Sequence, residues 1–166
     1  QLRFSPRPQS LPGVRKIGWE ASMDRIDNGS GDLETQQALG TIRLNLENGD
    51  NLDANYYWHE EVLNEPFRIA SNVTLPTGDY PFAETRVNYQ LGPQRPITGT
   101  LTASVGEFYD GNKTEVGYSG RVEITPQLGL EPRLSLNWVD LPEGSFTAQV
   151  LSARTTFAVT PRMFAA

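Results

Sequence analysis

The feature that most constrains this chain is a two-residue rhythm of apolar and polar side chains that recurs along its length. The stretch "TIRLNLENGDNLDANYYWHEE", Thr41 to Glu61, shows it most clearly. Ile42, Leu44 and Leu46, then Leu52, Ala54, Tyr56 and Trp58, take every second position, with Arg43, Asn45, Asp53, Asn55 and His59 between them. Side chains alternate across a strand, so such a segment is a β-strand with one greasy and one wet face. "NGDN" between the halves is a hairpin turn signal.

The same rhythm runs through Lys16–Asp24, Ala83–Leu91, Ile97–Val105, Glu115–Ile124, Leu128–Trp138 and Leu151–Val159, and no segment of comparable length repeats with helical period. The chain therefore reads as one all-β domain over residues 1–166, an antiparallel up-and-down meander of about eight long strands. Segments of about 11–13 residues exceed the ~5–6 of globular strands and suit the ~9–11 of a tilted bilayer crossing.

Which face points inward decides the class. A soluble barrel of lipocalin type would turn the greasy face in and bind a small apolar ligand. An outer-membrane barrel turns it out to lipid and lines a lumen with the wet face. The connections favour the second. "NGDN", "PQRP" and "TPQ" alternate with the longer "DNGSGD", Glu60–Tyr80, "FYDGNK" and "DLPEGS", as short periplasmic turns alternate with longer outer loops. Arg43, Asp53, Glu84, Arg86, Arg121, Glu123, Arg133 and Arg154 lie mid-strand on the wet face in mixed sign, as a confined lumen would need. Tyr56, Trp58, Tyr118 and Trp138 are expected on the greasy face near the long-loop ends, with Tyr89 towards the short turns. There they would form an aromatic girdle at headgroup level. The expectation is part or all of an outer-membrane β-barrel.

Charge and chemistry exclude other classes. The net charge of -6, with signs interspersed, argues against a nucleic-acid partner. The absence of Cys removes disulfides and thiolate metal sites. "HEEVL" begins like a zinc H-E-x-x-H motif, but it has Leu63 in fifth place, lies on a strand, and the chain has no second His. His59 reads as a lumen or rim residue. Glu60, Glu61, Glu65, Asp140 and Glu143 have no spacing that fixes a carboxylate pair. "DNGSGD" lacks the full calcium-loop pattern and reads as a turn. Sequons begin at Asn28, Asn72 and Asn112, in expected loops. No catalytic, metal or cofactor residue is assigned, and the chain is expected not to be an enzyme.

"RFSPRP", "PFRIASNVTLPTGDYPF", "SLNWVDLPEGSFTAQVLSART" and "TPRMF", spread from Arg3 to Phe164, resemble a family of bacterial envelope proteins. In that family a family 9-like carbohydrate-binding domain precedes a large outer-membrane β-barrel domain of unknown function. The resemblance implies a slice of the barrel half, in the bacterial outer membrane. Further strands of the same barrel and the lipid bilayer would be its partners. Carbohydrate would be reached only through the missing domain, and a role as scaffold in a glycan hydrolase is a weaker alternative. It carries no catalytic or sugar-binding residue onto this chain. "QLRFSPRP" and "TPRMFAA" both read as interior stretches of a longer polypeptide, and an eight-strand slice alone is not expected to be a competent pore.

Overall fold

A computed structural model of the chain describes residues 1–7, 10–160 and 163–165. The expected outward side chain of Val159, and residues 8, 161–162 and 166 of the quoted stretches, lie outside the described residues. The fold is all-β and follows chain order. The main strands are β2 (Val14–Asp27), β3 (Leu33–Leu46), β4 (Asn51–Leu63), β7 (Gly78–Leu91), β8 (Ile97–Phe108), β9 (Gly111–Thr125), β10 (Leu128–Leu141) and β11 (Gly144–Thr160). The short β1 (Leu2–Phe4) and β12 (Met163–Ala165) flank them. Among the described residues these ten strands form one sheet in sequence order, each paired antiparallel with its neighbours. β5 (Phe67–Ala70) and β6 (Val73–Leu75) form a separate hairpin.

All eight alternating segments are strands, and most extend beyond the alternation that reveals them. The sheet is open: among the described residues β1 and β12 do not pair with each other, so eight strands do not close a small barrel.

The connections correct one expectation. At one end the turns are residues 47–50, 92–96 and 126–127; at the other they are 28–32, 64–77, 109–110 and 142–143. "FYDGNK" and "DLPEGS" shrink to two-residue turns, because Phe108 pairs with Gly111 and Leu141 with Gly144. Backbone groups that can join a ladder do so, even where the side chains read as loop formers. The asymmetry between the ends rests on residues 64–77 alone.

Burial is inverted relative to a soluble sheet. Along β8, Leu101 and Val105 are 48% and 62% exposed while Ser104 between them is 3% exposed. On the same side as Ser104, Thr41, Asn55 and Glu84 are buried, and on the side of Val105, Ile42, Tyr56, Val87, Val116 and Trp138 are exposed. From β3 to β9, towards the hairpin, the sheet shelters its polar face and presents its apolar one, while Arg121, Glu123, Arg133 and Arg154 on the same polar side are exposed. The buried apolar cluster lies at one end only, where Val73 and Leu75 of β6 meet Val139 and Leu141.

Candidate functional site

The sheltered polar face is built row by row from the register. One row runs Thr41, Asn55, Arg86, Ser104, Glu115 and Asn137 across six strands. The next runs Tyr57, Glu84, Gly106, Lys113 and Val139. Small residues in the middle of each row let long ones meet across it. Lys113 and Glu84 are two strands apart with Gly106 between them, and the ammonium reaches the carboxylate at 2.9 Å. A Cβ at Gly106 would lie 2.4 Å from the Glu84 Cα, so no side chain fits there. Arg86 reaches past Ser104 to Glu115 in the same way, at 3.2 Å, and contacts Glu84 at 3.2 Å.

Glu84, nearly buried, thus lies between two cations and accepts a hydrogen bond from Ser104 Oγ at 3.1 Å. A buried carboxylate is tolerated when paired and hydrogen-bonded in this way. The Arg86 guanidinium sits 5.7 Å from the Tyr57 ring centre, and its Nε is buried without a hydrogen-bond partner among the described residues. One row further from the hairpin, Arg43 binds Asp53 through two contacts of 2.8 and 3.3 Å.

All eight expected wet-face residues occupy one side of the sheet, but they do not form one site. Arg43–Asp53 and Glu84–Arg86 are paired within the polar rows. Arg121 and Glu123 approach only to 3.8 Å and are more than half exposed. Arg133 lies opposite Ser119 and Ser152, and Arg154 opposite Glu131, towards the other end. Lys113 completes the central network and was missed because "FYDGNK" reads as a loop; only the alternation carried across that turn would have found it.

The four aromatic residues lie at different levels of the sheet. Tyr56 and Trp138 share a register row through Thr85, Val105 and Thr114, and Trp58 lies one outward-facing row nearer the hairpin. Tyr118 does not lie at that end: it is mid-strand in β9, in the row of Leu101 and Tyr89. The register of β9 against β8 sets this, because the turn after Phe108 is shorter than the sequence suggests.

No family model matches the chain, and no similar protein was found among curated proteins or solved structures.

The two ends differ in chemistry. His59 faces the polar side at the hairpin end, stacked between Tyr57 and Phe82 at 5.8 and 5.0 Å. "DNGSGD" is a turn in which Asn28 Oδ1 accepts from the amides of Ser30 and Asp32. At the opposite end Asp50, 1% exposed, ties two turns together. Its carboxylate accepts from the Tyr89 hydroxyl at 2.5 Å, the Gly92 amide at 2.7 Å and Arg95 at 3.0 Å. These donors, Tyr89 foremost, hold the Asp50 carboxyl below the usual carboxylate range, because each favours the charged form.

Proposed function

We propose that this chain is a non-catalytic wall section of a bacterial outer-membrane β-barrel, with its apolar face against lipid and its charged face lining a polar passage. One observation carries the reading: in the middle of the sheet and towards the hairpin, Ile42, Tyr56, Val87, Leu101, Val105, Val116 and Trp138 are exposed on one side while Thr41, Asn55, Glu84 and Ser104 are buried on the other. In water this arrangement costs free energy on both faces, whereas in a bilayer the apolar face is solvated by acyl chains. β8 has 12 residues and β11 has 17 residues. Both are long enough to cross with the required tilt. Among the described residues no helix is long and apolar enough to cross a membrane, so any crossing falls to strands.

A soluble barrel holding an apolar ligand would need the opposite inner face, and the mid-sheet inner face is Thr41, Asn55, Glu84 and Ser104. Lipid tolerates no unpaired strand edge. In this reading the open sheet is completed by further strands, as the family resemblance implies. The link to carbohydrate is the coarsest part of the proposal: it rests on that resemblance and would act through a separate binding domain.

The test is Leu134→Arg, on the exposed face of β10. It should cost ~2–4 kcal/mol of stability in bilayers if that face meets the midplane. A change within about 0.5 kcal/mol, together with a protein that stays monomeric and folded without detergent, would refute the membrane reading.

A further inference from the structure

Residues 64–77 leave the sheet between neighbouring strands, where Leu63 pairs with Gly78 across β4 and β7. A loop joining neighbours has no need to travel. Yet Val73 and Leu75 pack against Val139 and Leu141 of β10, with Phe146 of β11 packed against the same cluster. In the sheet order, β8 and β9 separate β7 from β10.

The hairpin therefore crosses β8 and β9. It does so on the polar side of the sheet, because Val139 shares the row of Lys113 and Glu84, and Leu141, Phe108 and Leu63 have the same parity along their strands. The crossing is pinned along its length. Leu75 is 0% exposed and Val73 2%. Tyr80 donates to the Pro76 carbonyl at 2.9 Å, and its ring meets Tyr109 edge-on at 5.3 Å. Tyr109 holds a left-handed φ of 53°. That conformation is costly for a residue with a side chain. Its ring packs against Phe82 and Phe108, and its hydroxyl donates to Glu61 at 2.7 Å, which offsets the strain. Beyond the crossing, Gly144 has φ 140°, and a Cβ there would press on Val73 at 3.2 Å.

We propose that the β5–β6 hairpin is a fixed constriction across one mouth of the polar passage, which sets the upper size of the hydrophilic solute that enters. This rests on the membrane-wall reading. It adds that the passage narrows at one end by an inward-folded strap, and that the Glu84–Lys113–Arg86–Glu115 network lines the passage next to it. The strap leaves the sheet between β4 and β7 and is anchored on β10 and β11, so it is fixed in place and acts as a filter.

The experiment uses the full-length polypeptide in planar bilayers and proteoliposomes, with neutral polymers of graded size as probes. Two variants are compared with the parent: Leu75→Asp, which expels the anchor, and a Gly-Ser replacement of residues 66–76. Folding is followed by β-sheet circular dichroism. The expected result is insertion of all three, with conductance raised at least about two-fold in both variants and larger polymers admitted. Insertion with unchanged conductance and size limit would overturn the constriction and leave the wall reading standing. A parent that does not insert would overturn both. A linker variant that no longer folds would make the hairpin an obligatory core element and overturn the constriction alone, since the linker removes no strand of the main sheet.

Discussion

The two ends of the sheet are held by opposite means. At the hairpin end, apolar side chains fold inward: Leu75 and Val73 fill the space against Val139 and Leu141, and aromatic rings surround them. At the other end a buried carboxylate is the tie, with Asp50 gathering Tyr89, Gly92 and Arg95. Gln94 adds a contact to the Asn48 carbonyl. The difference follows from what each end must bridge. Residues 47–50 and 92–96 belong to adjacent hairpins, so one side chain with several acceptor positions spans them. The hairpin end spans several strands, and only a folded element is large enough. Cross-strand apolar packing is insensitive to pH; a carboxylate clasp is not.

The largest effect should come from the hairpin end. Leu75→Ala is expected to cost ~2–5 kcal/mol, as for other fully buried leucines. Hydrogen exchange should quicken in Phe67–Leu75, whose strands pair with each other, while the amide of Gly92 stays protected. Loss of protection at both ends together would show that they are one cooperative unit.

Asp50→Asn should act at the other end, and through pH. The folded carboxyl lies below its unfolded value. Its contribution is therefore present above the unfolded pKa and is lost as pH falls through the folded one. Acid unfolding of the parent should begin with faster exchange at the Gly92 amide, which donates to Asp50. In Asp50→Asn that acid-sensitive component should be missing, and an unaltered acid profile would refute the clasp.

Tyr109→Phe should cost about 1 kcal/mol, the worth of one hydrogen bond, with the aromatic packing retained. Burial first, and the bond to Glu61 second, push the Tyr109 phenol well above its usual range. Above a free phenol pKa of about 10 the unfolded state ionises first, so the hairpin end should loosen as pH rises from there. The Phe variant should lose that alkaline component. The smallest effect belongs to Arg121→Ala, whose pair with Glu123 is long and exposed. Urea titrations should show a change of less than ~0.5 kcal/mol, as for other exposed ion pairs. A larger loss would mean that the polar face is more enclosed than the open sheet suggests.

Strand identity and facing were legible because they depend on a local rule. Period two assigns Ile42 and Arg43 to opposite sides whatever their neighbours are, so the whole wet set from Arg43 to Arg154 lies on one side. The ends of the strands were less legible. Glycines and acids around Tyr109 and Glu143 look like loop, yet the residues beside them enter ladders because their backbone groups find partners. That misjudged length also hid Lys113 and displaced Tyr118.

By itself, then, the sequence determined that this is a long-stranded β meander with one apolar and one charged face. The sequence also pointed to the charged face as the inner one; tertiary structure alone decided which part of that face is sheltered, that Lys113 meets Glu84 across Gly106, and that residues 64–77 fold over the inner side. Alternation is a property of each strand taken singly. Curvature, cross-row contacts and the path of a crossing hairpin depend on residues far apart in the chain, brought together only when register and packing are set.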